Sequence, residues 1–232
     1  MEIIAEIGQN HNGDIALARE MIYLAKDRGA DVAKFQLYDA PALFPKEGNE
    51  WFDYNCRTEL SRDDVGDLAD TCADAGIEFM ASVFDVERIR WMEELGVPRY
   101  KVASRSVNDR PLIEALIATG KPLLVSLGMW QGSEFPDIHS TGDVSFLYCV
   151  SKYPTPLEDL HLGIVDFDRY AGFSDHTLGT AAAIAALARG ARILEKHLTL
   201  DQDAYGPDHA CSMTPDELGT ISRFRDELAR CL

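Results

Sequence analysis

Residues 2–37 read EIIAEIGQNHNGDIALAREMIYLAKDRGADVAKFQL, and their hydrophobic period changes twice. Residues 2–6 are apolar and β-rich, as a buried strand requires. From residue 14 the pattern turns helical. Asp14 is placed to cap a helix over 14–29, Ile15, Ala18, Met21, Ile22, Leu24 and Ala25 form its inward stripe, and Gly29 ends it. A second β-rich run follows at 31–37. Strand, helix, strand in this order is a βαβ unit, which makes the two strands parallel.

The alternation continues outward through the chain. Further β-rich stretches lie at 77–82, 99–103, 121–126, 144–149, 170–173 and 191–197. Helices are expected at 61–75, 85–95, 109–119, 133–139, 157–168, 178–189 and 214–230. The last begins with a Thr214 cap, Pro215 in the first turn and Glu217 in the capping-box position. Eight strand–helix units in 232 residues predict an α/β fold of the (β/α)8 TIM-barrel type, aldolase-like, occupying residues 1–232 as a single domain. A doubly wound open sheet is the competing arrangement.

Composition narrows the function. The net charge of −17 repels nucleic acid and anionic membranes, and no Lys/Arg cluster offsets it. No apolar run approaches the ~20 residues of a membrane span, and the first residues lack the basic and apolar regions of a signal peptide. Five cysteines, Cys56, Cys72, Cys149, Cys211 and Cys231, are odd in number and contain no CxxC spacing. Reduced thiols in a cytoplasm are the expected state. Cys149, at a strand end, is the strongest of the five as a nucleophile, though a structural thiol is the commoner role.

A barrel of this kind works at the C-terminal ends of its strands. There the sequence places Glu6, Lys34 with Gln36, Ser82, Lys101 with Ser104, Ser126, Ser151 with Tyr153, Ser174 with His176, and His197 with Glu195. A lone strand-end lysine ordinarily snorkels, and a lone histidine is ordinarily a satisfied polar group. All eight ends being polar together is what points to a site. The lysines and hydroxyls suit an anion carrying phosphate and carboxylate. His176 and His197 suit a divalent metal with open positions, or else form a hydrogen-bonded pair; imidazole favours Mn, Fe, Co or Zn over Ca. The loop 201–209, with Asp208, either binds sugar hydroxyls or is a solvated acidic loop.

In order, Ile3-Ile4-Ala5-Glu6-Ile7-Gly8 with Asn10-His11-Asn12-Gly13, Gly29-Ala30-Asp31 with Lys34-Phe35-Gln36, Tyr153-Pro154-Thr155-Pro156, Ser174-Asp175-His176-Thr177, and Glu195-Lys196-His197 with Gly206-Pro207-Asp208-His209 and Ser212 span nearly the whole chain. The set resembles the N-acetylneuraminate (sialic acid) synthase family, which includes legionaminic, pseudaminic and spore-coat polysaccharide synthases. The resemblance implies that Lys34, Ser82, Lys101, Ser104, Ser126 and Ser174 hold phosphoenolpyruvate, with Ser151 and Tyr153 near its carboxylate. It implies that His176 and His197 hold Mn2+ or a similar ion, and that Glu6, Gln36 and Asp208 face an N-acylated mannosamine-like aldose. Catalytic roles then fall to Glu6, Lys101, His176 and His197, and the product is a nonulosonic acid.

Three departures stand out. The family's sialic acid makers usually carry a carboxylate two residues past the serine matched by Ser104, where this chain has Ser106, and Arg105 between them adds positive charge. Ser151 replaces an asparagine found in some members. No residues here match the C-terminal antifreeze-protein-like domain that caps the partner's sugar site in full-length members, so the resemblance implies a cap supplied separately, a barrel that works open, or weak or altered sugar binding. A homodimer is the default expectation for such an enzyme. The other readings are a metal-dependent 2-keto acid aldolase and a non-catalytic barrel that binds a ligand or partner.

Overall fold

The computed structural model describes residues 1–232 and closes eight parallel strands into a barrel in the order β1-β2-β3-β4-β5-β6-β7-β8. The strands are β1 Glu2–Gly8, β2 Val32–Leu37, β3 Glu78–Val83, β4 Tyr100–Val102, β5 Leu123–Ser126, β6 Val144–Cys149, β7 Gly172–Asp175 and β8 Ile193–His197. Closure is made by β1 against β8, with Ile4 opposite Glu195 and Glu6 opposite His197. An open doubly wound sheet is thereby excluded.

Inward and outward residues alternate along each strand. The outward set, including Ile3, Ala5, Ile7, Ala33, Phe35 and Leu194, packs under the helices in the main core. The inward set begins with a small apolar layer of Ile4, Val32, Met80, Leu124 and Leu147. One step of two residues further along the same strands gives Glu6, Lys34, Ser82, Ser126 and Cys149. The barrel interior thus changes from hydrocarbon to polar groups within a single pleat. At Gly172 a Cβ would stand 1.9 Å from the Ile193 carbonyl oxygen, so only glycine lets β7 and β8 approach there.

Helices cover most of the outside. They are α1 Ile15–Asp27, α4 Arg62–Ala75, α5 Val86–Glu94, α6 Arg110–Ile117, α7 Ala181–Ala188 and α8 Pro215–Cys231. The caps read from the sequence form: the Asp14 side chain accepts from the Ala16 and Leu17 amides, and Thr214 with Glu217 closes a capping box. Two short helices, α2 Ala40–Leu43 and α3 Phe52–Thr58, fill the connection from β2 to α4. No helix is long and apolar enough to cross a membrane.

The helices expected at 133–139 and 157–168 do not form. Residues 133–139 are irregular. Pro136 disfavours helical backbone at Phe135, and Phe135 instead packs as a plug 4.7 Å from the Phe146 ring and 4.8 Å from Tyr170. Residues 157–168 form two 3-10 turns, Leu157–Asp159 and Leu162–Ile164, separated where His161 takes a left-handed φ of 47°. Strand seven lies later than the expected 170–173, so Ser174 and Asp175 belong to β7 itself.

Candidate active site

The polar layer of the barrel opens at the C-terminal ends of the strands. Lys34 and Lys101 are each 2% exposed, and their ammonium groups are met by carboxylates and hydroxyls. Lys34 Nζ lies 2.6 Å from Glu6 Oε2 and 3.5 Å from Glu195 Oε2, and donates to Ser82 Oγ at 3.2 Å. Lys101 Nζ lies 3.6 Å from Glu195 Oε1 and donates to Ser126 Oγ at 2.8 Å. Ser174 donates to Glu195 Oε1 at 2.9 Å, and Gln36 donates to Glu6 Oε1 at 2.9 Å. Burial disfavours the charge on Lys34, but Glu195 and Glu6 outweigh it and hold the ammonium above its usual range. For Lys101 burial prevails, and the neighbouring Lys34 adds to it, so the group is held below its usual range despite Glu195. The Glu195 carboxyl is kept low because the two lysines overcome its own burial. The arrangement is a compact, nearly neutral set of alternating charges that an incoming anion can enter by displacing carboxylate–lysine contacts.

The two histidines stand at the rim of this layer, with ring centroids 5.7 Å apart. His176 Nδ1 lies 3.2 Å from the Val150 carbonyl oxygen. Donation there fixes the tautomer and turns the Nε2 lone pair outward, the arrangement common to metal-ligating histidines. Burial and the adjacent His197 push its imidazole down to about 3, which keeps that lone pair free. His197 Nδ1 is buried without a hydrogen-bond partner. No third His, Cys, Asp or Glu joins the pair at ligand spacing. Two imidazoles, one of them with an orphaned nitrogen, fit a divalent ion whose remaining positions are filled by water or substrate oxygen. The Tyr153 ring lies 4.2 Å from the His176 ring, and Asp208 Oδ2 is 3.9 Å from His197 Nδ1.

An outer chamber of about 590 Å³ lies above, lined by Gln36, Ser104, Ser151, Tyr153, His197 and Asp208 together with Gln9, Trp51, Asn55, Phe44, Phe84, Arg105 and Met129. Every strand-end and loop residue given a binding, metal or catalytic role in the sequence reaches one of the two compartments. Glu6, Lys34, Ser82, Lys101, Ser126, Ser174 and His176 line the inner pocket, Ser151 and Asp208 the outer chamber, and Gln36, Ser104, Tyr153 and His197 both. Glu6 faces Lys34 in the inner pocket rather than the chamber. In the loop 201–209, Asp201 accepts from the Asp203 amide, and of the loop's carboxylates only Asp208 lines the chamber.

Sequence reasoning gave no role to Glu195, the hub of both lysine contacts. Its signal was present: a charged residue two positions before His197 on a buried strand shares the same face. The chamber residues from α2 and α3 were also missed. Cys149 gains no support as a nucleophile, since burial pushes its thiol up. The conspicuous Asn10-His11-Asn12-Gly13 stretch is scaffold: Asn10 donates to the Leu198 carbonyl and Ser212 Oγ, and Asn12 accepts from Tyr54.

Known proteins are similar to this chain in sequence and in the barrel they form. The chain is 34% identical over 244 residues to the human N-acetylneuraminate-9-phosphate synthase, a match covering 95% of this chain and 68% of that one. It is 34% identical over 258 residues to the N,N'-diacetyllegionaminic acid synthase of Legionella pneumophila, covering 97% and 71%. It superimposes with a TM-score of 0.90 and 32% identity on the sialic acid synthetase of Leptospira borgpetersenii in complex with citrate, covering 99% of this chain and 84% of that one. The sequence model of the NeuB family matches residues 21–230, which takes in seven of the eight strands and leaves out β1, the start of α1 and the last residue of α8. On that match, and on relatives above 30% identity along nearly its whole length, the chain belongs to the NeuB family.

Proposed function

We propose that this chain condenses phosphoenolpyruvate with an N-acylated mannosamine-like aldose, giving a nonulosonic acid and inorganic phosphate. The chain's relatives are named as sialic and legionaminic acid synthases, and as a NeuB-family member this chain is a transferase that forms a C–C bond from phosphoenolpyruvate. The observation that carries the finer reading is the pair of buried lysines, Lys34 and Lys101, ringed by serines and opened towards two histidines.

In this reading the phosphate and carboxylate of phosphoenolpyruvate enter against Lys34 and Lys101, with hydrogen bonds from Ser82, Ser104, Ser126 and Ser174. Ser151 and Tyr153 bound its carboxylate end. The acceptor lies in the outer chamber with its hydroxyls against Gln36 and Asp208. The electron pair of the enol double bond forms the new C–C bond to the acceptor's carbonyl carbon, and the carbonyl oxygen takes up a proton. Water adds at the former enol carbon; one of its protons passes by way of Glu6 to the acceptor's oxygen, and the other goes to the departing phosphate as the bond from that carbon to the phosphate oxygen breaks and the 2-keto group forms. Glu6 is poised for this by Gln36 and Lys34, which fix its carboxylate. His176 and His197 would hold the divalent ion, which we take to be Mn2+, and it would supply Lewis acidity towards the acceptor's carbonyl. Five free cysteines agree with a reducing cytoplasm as the place of reaction.

The test is phosphate release from phosphoenolpyruvate in the presence of Mn2+, with N-acetylmannosamine, its 6-phosphate, 2,4-diacetamido sugars and simple aldoses offered in turn. Release that requires one sugar and is lost in His197→Ala supports the synthase. Release that proceeds equally without sugar, or none with any sugar while pyruvate itself is consumed, overturns it.

A further inference from the structure

Arg105 sits in the 3-10 turn Ser104–Ser106 that follows β4, between two buried serines. Ser104 Oγ accepts from the Gly128 amide at 3.2 Å, and the Ser106 amide donates to the Ala103 carbonyl at 2.9 Å, so the backbone beneath Arg105 is pinned. The guanidinium lies over the Phe44 ring at 4.9 Å and towards Phe84 at 6.0 Å, and all three residues line the outer chamber. It makes no ion pair. Arg57, Arg90, Arg110, Arg189, Arg192, Arg223 and Arg230 are likewise without an ion pair, but none of them lines the chamber, and the chain around it carries 39 Asp and Glu against 22 Lys and Arg. Arg105 is the only Lys or Arg lining the chamber, and the one carboxylate there, Asp208, lies 3.9 Å from His197 Nδ1 and makes no ion pair with Arg105.

We propose that Arg105 selects an acceptor bearing an anionic group, a phosphate monoester or a carboxylate, at the end remote from its reacting carbonyl. The inference rests on the inner pocket being the phosphoenolpyruvate site. The reacting carbonyl must then face the lysines and histidines. The far end of the acceptor is left in the outer chamber, where the inner lysines are already engaged by Glu6 and Glu195. Two aromatic faces hold the guanidinium in place without neutralising it, leaving its planar fork of donors for two oxygens of a phosphate or carboxylate. Against the surrounding field of a −17 chain, a single fixed cation is what makes this chamber receptive to an anion.

The experiment compares N-acetylmannosamine, its 6-phosphate and its uronic acid, both as acceptors in phosphate release and by calorimetry without phosphoenolpyruvate. One or both anionic sugars should exceed the neutral one by on the order of 10- to 100-fold in affinity. The ratio should collapse towards one in Arg105→Ala and survive in part in Arg105→Lys. The two anionic sugars separate phosphate from carboxylate recognition. A neutral sugar that binds as well as both, or a preference untouched by Arg105→Ala, overturns the proposal. So does anionic-sugar binding that is lost in Lys101→Ala but not in Arg105→Ala, because the anion is then in the inner pocket. Arg105-dependent binding with no phosphate release from any acceptor would leave the proposal standing and remove the synthase reading instead.

Discussion

Glu195 Oε1 lies 3.6 Å from Lys101 Nζ, with both side chains almost fully buried, and its other oxygen lies 3.5 Å from Lys34. One carboxylate thus serves two cations in a region from which water is largely excluded. Glu195→Gln keeps the shape and removes the charge. Leaving buried charges uncompensated costs about 3–5 kcal/mol, so the variant is expected to unfold at lower temperature than the parent. An anion that takes the carboxylate's place should restore part of the loss, by mass action on the folded state. Thermal melts in rising inorganic phosphate measure this: the variant's midpoint should climb more steeply than the parent's. Equal slopes would mean that Glu195 does not stand in the anion's place.

Gly128 supplies a second prediction. A Cβ there would lie 2.4 Å from Ser151 Oγ, 2.8 Å from Cys149 Sγ and 3.0 Å from Ser104 Oγ. These are side-chain atoms, so the barrel can absorb Gly128→Ala by turning the two serines aside. The effect should therefore fall on the site more than on the fold: a rise of roughly 10-fold or more in KM for phosphoenolpyruvate, the size of a lost hydrogen bond or two, with a melting temperature within a few degrees of the parent. A large drop in melting temperature with unchanged KM would place the strain elsewhere.

The contrast between these residues and the missed elements shows what a sequence can reveal. The step from Ile4 to Glu6, from Val32 to Lys34 and from Leu124 to Ser126 is a period-two pattern, and strand geometry converts it directly into an apolar layer beneath a polar one. That is why the strand-end residues could be named before the barrel was seen. The expected helix at 133–139 came from the repeat of the fold, not from its own residues. Pro136 and the lack of any helical stripe there were local evidence against it, and local evidence prevailed. The expected helix at 157–168 failed likewise, at His161 and Gly163. The outer chamber was illegible for a different reason. Trp51, Asn55 and Phe44 reach it only because α2 and α3 fold back over the mouth, and contacts of that range leave no periodic trace. Arg105 was visible as a departure, but its freedom from any carboxylate is a property of three-dimensional packing alone.

The histidine pair predicts a metal-binding signature that needs no turnover. Mn2+ added to the protein should lose part of its free-ion paramagnetic resonance signal, at a stoichiometry of about one per chain. His176→Ala and His197→Ala should each weaken that binding by on the order of 10- to 100-fold, since a two-ligand site has little to spare. Replacing the aromatic support with Tyr153→Leu should have a smaller effect, because the His176 tautomer is set by the Val150 carbonyl and not by the ring beside it. Retention of full Mn2+ binding in both histidine variants would move the ion elsewhere.

A last prediction concerns His11, whose imidazole is 1% exposed, packs 6.3 Å from the Phe35 ring and accepts from the Gly13 amide at 3.1 Å. Burial pushes its pKa down from 6.5 to about 4, against the opposing pull of Asp64 and Asp14. The unfolded chain therefore binds this proton at a higher pH than the folded one does, and between the two values stability rises with pH. The contribution is fully present above about pH 7, is lost progressively from pH 6.5 downwards, and is gone below about pH 4. A difference of this size corresponds to roughly 3 kcal/mol over the whole window. Many carboxylates titrate in the same range, so the informative quantity is the difference between parent and His11→Gln, which has no proton to take up. Denaturant unfolding from pH 7.5 to 4.5 should show the parent losing stability faster than the variant, with the gap opening below pH 6.5. Parallel curves would mean that His11 takes up its proton without leaving its buried place, and that the loop from Gln9 to Gly13 opens to water more readily than its packing implies.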